Sequence, residues 1–99
     1  MLRTEVALDN RTKQKLKARG QRLEPGAQVG KAGVTDGVAE NVNQLLKQSD
    51  LLKVRLPSIP PSERKDLADQ LAHQTQATIL HRVGRTILLY REQEDQQLS

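Results

Sequence analysis

The residues in this chain best suited to chemistry are Gly30-Lys31-Ala32-Gly33. A short run that reads as a strand, Ala27-Gln28-Val29, precedes them, and Val34-Thr35-Asp36-Gly37-Val38 reads as the entry to a helix. A strand, a glycine-flanked loop and a helix N-terminus together place backbone N–H groups where they can face an anion. The glycines permit positive φ and close backbone approach. Lys31 adds a mobile positive charge, and Thr35 is the expected N-cap. The chemistry this predicts is phosphate contact, with Gly30, Lys31, Ala32, Gly33 and Thr35 as the contacting residues. A plain β-to-α turn has the same spacing, so the rest of the chain has to decide between the two.

A second set of candidates lies just upstream. Six bases fall between positions 11 and 22 with no acid among them. On a helix, Arg11, Lys15, Arg19 and Arg22 line one stripe, and Lys13 and Lys17 flank the opposite side. Leu16 marks a narrow apolar seam shared with Thr12, Gly20 and Leu23. Such a helix is either a solvated surface or a polyanion-binding one. Lys53 in a predicted strand and Arg85 in a predicted turn are further candidates for phosphate contact.

Other chemistry finds no residues to carry it. His73 and His81 are the only histidines, and no acid spacing around them resembles a metal site or a catalytic triad. Asp66 and Asp69, three apart, read as a solvated helix face. Cysteine is absent, which excludes disulfides and thiolate zinc sites. The glycine loop lacks the Gly-Lys-Ser/Thr ending of a nucleoside-triphosphate loop. The expectation is a non-enzyme with no cofactor and no metal.

Punctuation along the chain sets the elements that must position these residues. Asp9 or Asn10 caps a first helix that runs to about Gly20, and Pro25-Gly26 ends that region. A second helix runs from Asp36 to Gln48. It has Val38, Val42, Leu45 and Leu46 inward, and Glu40, Asn41, Asn43, Gln44 and Lys47 toward water. Leu51 to Leu56 alternates Leu52, Val54 and Leu56 with Lys53 and Arg55, the pattern of a strand with one apolar and one basic face. A third helix spans 61–75 with Pro61 in its first turn. Its inward face is Arg64, Leu67, Ala68, Leu71, Ala72 and Thr75, and its outer face, with Glu63, Asp66 and Asp69, is the most acidic. Two strands, 78–83 and 86–90, flank Gly84-Arg85, a tight-hairpin signal. The class is α/β (α+β): a helix, then β-α-β-α-β-β, forming a small mixed four-stranded sheet with helices packed on one face.

Composition bounds the rest. The chain has 99 residues, 35% hydrophobic and 28% charged, enough for one modest core. Tyr90 is the single aromatic, so no aromatic platform for stacking bases exists. Contacts to RNA would go mainly to backbone and shape. Net charge is +4, and seven of the 16 Lys and Arg lie between Arg3 and Arg22. No apolar run reaches the ~18 residues of a membrane span, and the first residues lack the apolar centre of a signal peptide, so the expected location is cytoplasmic. Residues 1–8 read as flexible, 9–91 as the domain and 92–99 as a polar, disordered tail.

The glycine loop with Val34-Thr35-Asp36-Gly37-Val38, then Leu51-Leu52-Lys53-Val54, then Val83 to Arg91 together resemble the CRM domain (chloroplast RNA splicing and ribosome maturation). So does the basic first helix ending at Leu23-Glu24-Pro25. The resemblance covers roughly residues 8–91 and is nearest to the stand-alone bacterial YhbY-like form. It implies a fold similar to the C-terminal domain of translation initiation factor 3, preceded by an extra helix. It also implies RNA binding through the glycine loop and neighbouring basic surface, with precursors of the large ribosomal subunit as partner. Gly26-Ala27-Gln28-Val29 is poorer in large apolar residues than the family pattern, which predicts a weak first strand. Arg82 stands where the family is often apolar, as an added RNA contact or as an edge-strand residue. A monomer is expected. A protein–protein adaptor, or an RNA binder with non-ribosomal targets, are the competing readings.

Overall fold

The computed structural model describes residues 9–92. The expectations for residues 1–8, and for the tail beyond Glu92, lie outside the described residues.

The first helix, α1, spans Asn10–Gln21, and Asp9 is its N-cap. The Asp9 carboxylate accepts a hydrogen bond from the Thr12 N–H at 2.8 Å. That bond to backbone holds the Asp9 carboxyl below the usual carboxylate range. A depressed folded pKa means the cap's contribution is present above the unfolded value and is lost as pH falls through the lower folded one. Acidification below about pH 4 should therefore fray α1 first. Asp9→Asn, which caps without titrating, should remove that acid-induced loss of helical ellipticity; an unchanged acid transition would contradict it.

After the turn at Pro25-Gly26 comes β1, Ala27–Gln28, two residues long, as its thin apolar content predicts. The second helix, α2, spans Asp36–Gln48, and Thr35 caps it by accepting the Val38 N–H at 3.2 Å. Strand β2 is Leu51–Arg55. Helix α3 is Pro61–Thr75, with Pro at its first position. It ends on Gln76 in the left-handed region, φ 57°. Strands β3, Thr78–Val83, and β4, Thr86–Tyr90, complete the chain. Gly84 takes φ +57° in the two-residue link while Arg85 keeps a negative φ, the II′ pattern of a tight hairpin.

The sheet order is β1-β2-β4-β3. β1 runs parallel to β2, and the other neighbours are antiparallel. The crossover helix α2 and helix α3 cover one face. There Val42, Leu46, Ala68 and Leu71 meet Leu52, Val54, Ile87 and Leu89, almost all fully buried. One-sided packing of the helices is not what the structure shows. Helix α1 lies on the opposite face, where Leu16 packs with Leu51 and Leu88, and Leu80 and Tyr90 border the cluster. Gly20 lets the helix come down: a Cβ there would sit 2.4 Å from a methyl carbon of Leu88. Both faces of β4 are thus buried, which explains why Ile87-Leu88-Leu89 is apolar without alternation.

Polar anchors hold the layers together. Arg91, at the end of β4, donates to the Asn43 side-chain oxygen at 2.6 Å, to the Thr75 carbonyl at 2.9 Å and to the Asn43 carbonyl at 3.2 Å. Asn43 is therefore a half-buried clamp partner rather than a water-facing residue. Arg82 lies on the edge strand β3 and pairs with Asp69 of α3 at 3.1 Å. Lys65 also holds Asp69, and its hydrogen bond is the main reason that carboxyl sits below its usual range. Part of the acidic outer face of α3 is thereby neutralised within the fold.

Candidate nucleic-acid interface

The glycine loop leaves the sheet at the C-terminal end of β1. Gln28 is opposite Arg55, and the buried Val29 donates its N–H to the Arg55 carbonyl at 2.8 Å. The chain then turns at once: the Gly33 N–H bonds the Gly30 carbonyl at 3.0 Å, leaving Lys31 and Ala32 exposed at the tip. The Thr35 N–H bonds the Gly33 carbonyl at 3.0 Å, and the Thr35 side chain caps α2. No partner among the described residues takes the N–H groups of Asp36 or Gly37, the first two of α2. These are the anion-facing donors of a helix N-terminus. Asp36 is also the acid nearest the loop in the chain, so any anion there meets one opposing charge.

The two glycines differ. Gly33 has φ +85°, which a side chain would strain. Gly30 has no positive φ, and a Cβ on it would meet nothing within 4 Å. The fold gives no reason for glycine at position 30.

Of the other candidate residues, the structure brings some to the loop and not others. Lys53 and Arg55 project from the face of β2 that carries α1, opposite Leu88 and Thr86. Arg55 is exposed and ends the strand beside the loop. Arg85 is fixed at the same end. Its carbonyl accepts the Leu56 N–H at 2.6 Å, and its side-chain Nε donates to the Leu56 carbonyl at 3.1 Å. Lys31, Arg55 and Arg85 thus belong to one end of the sheet. Helix α1, which carries the stripe Arg11, Lys15, Arg19 and Arg22, lies on the sheet face opposite α2. Arg19 forms a 3.0 Å ion pair with Asp50, just before β2 and so at the end of that strand away from the loop. Arg11, Lys15 and Arg22 are exposed. The α1 base that does approach Lys53 is Lys17, on the other flank of the helix. Lys17 and Arg55 were not among the candidates expected from the sequence. The signal for Arg55 was present in the strand alternation that also puts Lys53 on this face.

Among the described residues, no three or more His, Asp or Glu are grouped to hold a metal ion, and no helix is long and apolar enough to cross a membrane.

The residue pattern of the CRS1 / YhbY (CRM) domain matches residues 8–91. The chain belongs to the CRM family. A protein of Pseudomonas aeruginosa named as a probable RNA-binding protein is 30% identical to it, over 88% of this chain and 84% of that protein. A Bacillus subtilis protein named in the same way is 28% identical, over 89% and 92%. A chloroplastic CRM-domain containing factor of Arabidopsis thaliana is 29% identical over 88% of this chain, which corresponds to 9% of that much longer protein. The solution structure of a Staphylococcus aureus protein superposes with a TM-score of 0.78, covering 91% of this chain and 94% of that one at 24% identity. This CRM domain therefore shares its three-helix, four-stranded fold with a solved structure.

Proposed function

We propose that this CRM domain is a non-catalytic RNA-binding module of the cytoplasm. It acts as a monomer and contacts ribosomal RNA during assembly of the large subunit. The phosphate backbone would pass over the end of the sheet. Gly30 lets it approach the loop, Lys31 neutralises it, and the N–H groups of Asp36 and Gly37 donate to one phosphate. Arg55 and Arg85 continue the track at the sheet end, and Lys53 leads it toward the α1 face, where Arg11, Lys15, Arg19 and Arg22 supply further positive charge. The names of the bacterial relatives support the RNA reading. The observation that carries it in this chain is Gly30, a glycine with no intramolecular cause beside an exposed lysine and an open helix N-terminus.

That observation gives a clean test. Gly30→Ala should leave thermal stability equal or slightly raised, since it only restricts the unfolded chain. It should nevertheless weaken RNA affinity by roughly tenfold, the scale of one lost charged hydrogen bond. Unchanged affinity would remove the loop from the interface. The ribosomal part is tested separately, by sequencing RNA crosslinked to the protein in cells. Mainly large-subunit ribosomal RNA is expected, and mainly other RNA would overturn the assembly role alone.

A further inference from the structure

Where α1 ends, the sheet face beneath it is left uncovered. The result is a groove of about 290 Å³ with Lys17 and Gln21 of α1 along one wall. Lys53 of β2, His81 and Val83 of β3 and Thr86 of β4 form the rest. We propose that this groove takes one unpaired RNA nucleotide, with its base held between α1 and the strands and its phosphate on Lys17 and Lys53. The proposal rests on the RNA-binding reading and adds to it a site for base recognition on the face of the sheet opposite α2.

Four observations converge on that ligand. The volume is just below the roughly 300–1,000 Å³ typical of small-molecule sites, so it suits a single nucleotide and excludes a duplex. The floor is apolar, formed by Leu88 and by Val83, which is 58% exposed and is the largest departure from burial among the big hydrophobic side chains. A flat base would cover that exposed surface. The rim is polar and uncommitted to one pattern. The Gln21 amide both donates and accepts, the Thr86 hydroxyl does the same, and the His81 imidazole offers a donor and an acceptor when neutral. Those are the groups needed along a base edge. Finally, the charge is one-sided: Lys17 and Lys53 are half-buried, neither has an ion-pair partner among the described residues, and no acid lines the groove.

The chain thereby acquires a base-reading element without an aromatic platform. Aliphatic side chains cover the base faces, and side-chain amide, hydroxyl and imidazole groups read its edge. Gly20 is what creates the shape. A larger residue there would lift α1 off Leu88 and open the groove.

The test compares four short homopolymeric single-stranded RNAs and an RNA duplex of equal length at one salt concentration. The wild-type protein should prefer one homopolymer, and prefer it over the duplex. The double variant Gln21→Ala/His81→Ala should lose roughly tenfold for that homopolymer and bind all of them alike. Lys31→Glu should weaken every RNA equally and keep the preference. Amide resonances of Gly20, Gln21, His81 and Val83 should also shift when nucleoside monophosphates are added. Equal wild-type binding to every homopolymer, a preference that survives the double variant, or monophosphate shifts confined to residues 30–33 would each overturn the groove while leaving phosphate binding in place. Failure of the wild-type protein to bind any of the RNAs would overturn both.

Discussion

Replacing Lys31, Lys53 and Arg55 together by glutamate should weaken RNA binding by on the order of a hundredfold at low salt while leaving the fold intact. All three side chains are exposed or half-buried, and none is in an ion pair among the described residues. Their removal therefore costs the folded state little. Their positions are what make them effective. They run from the α1 face of the sheet, along β2, to the loop at its end, so a strand of phosphates touching one is within reach of the next. The loss should extend to every sequence tested, because phosphate contacts carry no base information. The same triple reversal on the α1 stripe, at Arg11, Lys15 and Arg22, should have a smaller effect, since no contact ties these three to the loop and the stripe's Arg19 is held by Asp50 at the other end of β2. If the stripe reversal proved the more damaging, the track would have been placed on the wrong part of the surface.

The second large effect concerns the docking of α1. Gly20→Val should destabilise the domain by about 2 kcal/mol, because the added carbons collide with buried Leu88. For a domain of this size that is a drop of roughly 8–16 °C in Tm. Leu88→Ala alone should cost about 2–4 kcal/mol as a cavity. The double variant should cost at least about 1 kcal/mol less than the sum, because the smaller residue at 88 makes room for the larger one at 20. Thermal or denaturant melts of the four proteins measure this directly. Strict additivity would mean that the helix and the strand do not meet at that point.

Much of the fold was legible in the sequence because its boundaries are written in local chemistry. Thr35 and Asp9 cap helices, Pro61 opens one, and Gly84 forces the hairpin. The side of the sheet that α1 occupies was harder to read. Leu52, Val54 and Leu56 advertise one apolar face of β2, and Lys53 and Arg55 make the other look solvated. Yet Leu51, at the strand's start, and Leu88, in the middle of a continuous apolar run, form a small second core that only a helix can cover. A strand apolar on both faces needs packing on both, and Ile87-Leu88-Leu89 was the signal. The Arg91 clamp had no such signal. Its partners Asn43 and Thr75 are 48 and 16 residues away, and nothing local marks Asn43 as inward. The candidate interface was legible in its residue types but not in their layout. The glycine loop and the run of bases stand in the sequence, whereas the meeting of Lys17 with Lys53 in one groove and of Arg19 with Asp50 depends on packing.

If this glycine loop and its cationic neighbours hold a nucleic-acid backbone at the sheet end, binding must weaken steeply with salt. The salt dependence of affinity for a single-stranded RNA tests it most directly. With about four phosphates neutralised at about 0.7 per contact, wild-type affinity should fall roughly fifty-fold between 50 and 200 mM salt. The Lys31, Lys53 and Arg55 reversal should flatten that slope by about two units. Wild-type affinity that barely changes over this range, or a slope untouched by the triple reversal, would contradict the account.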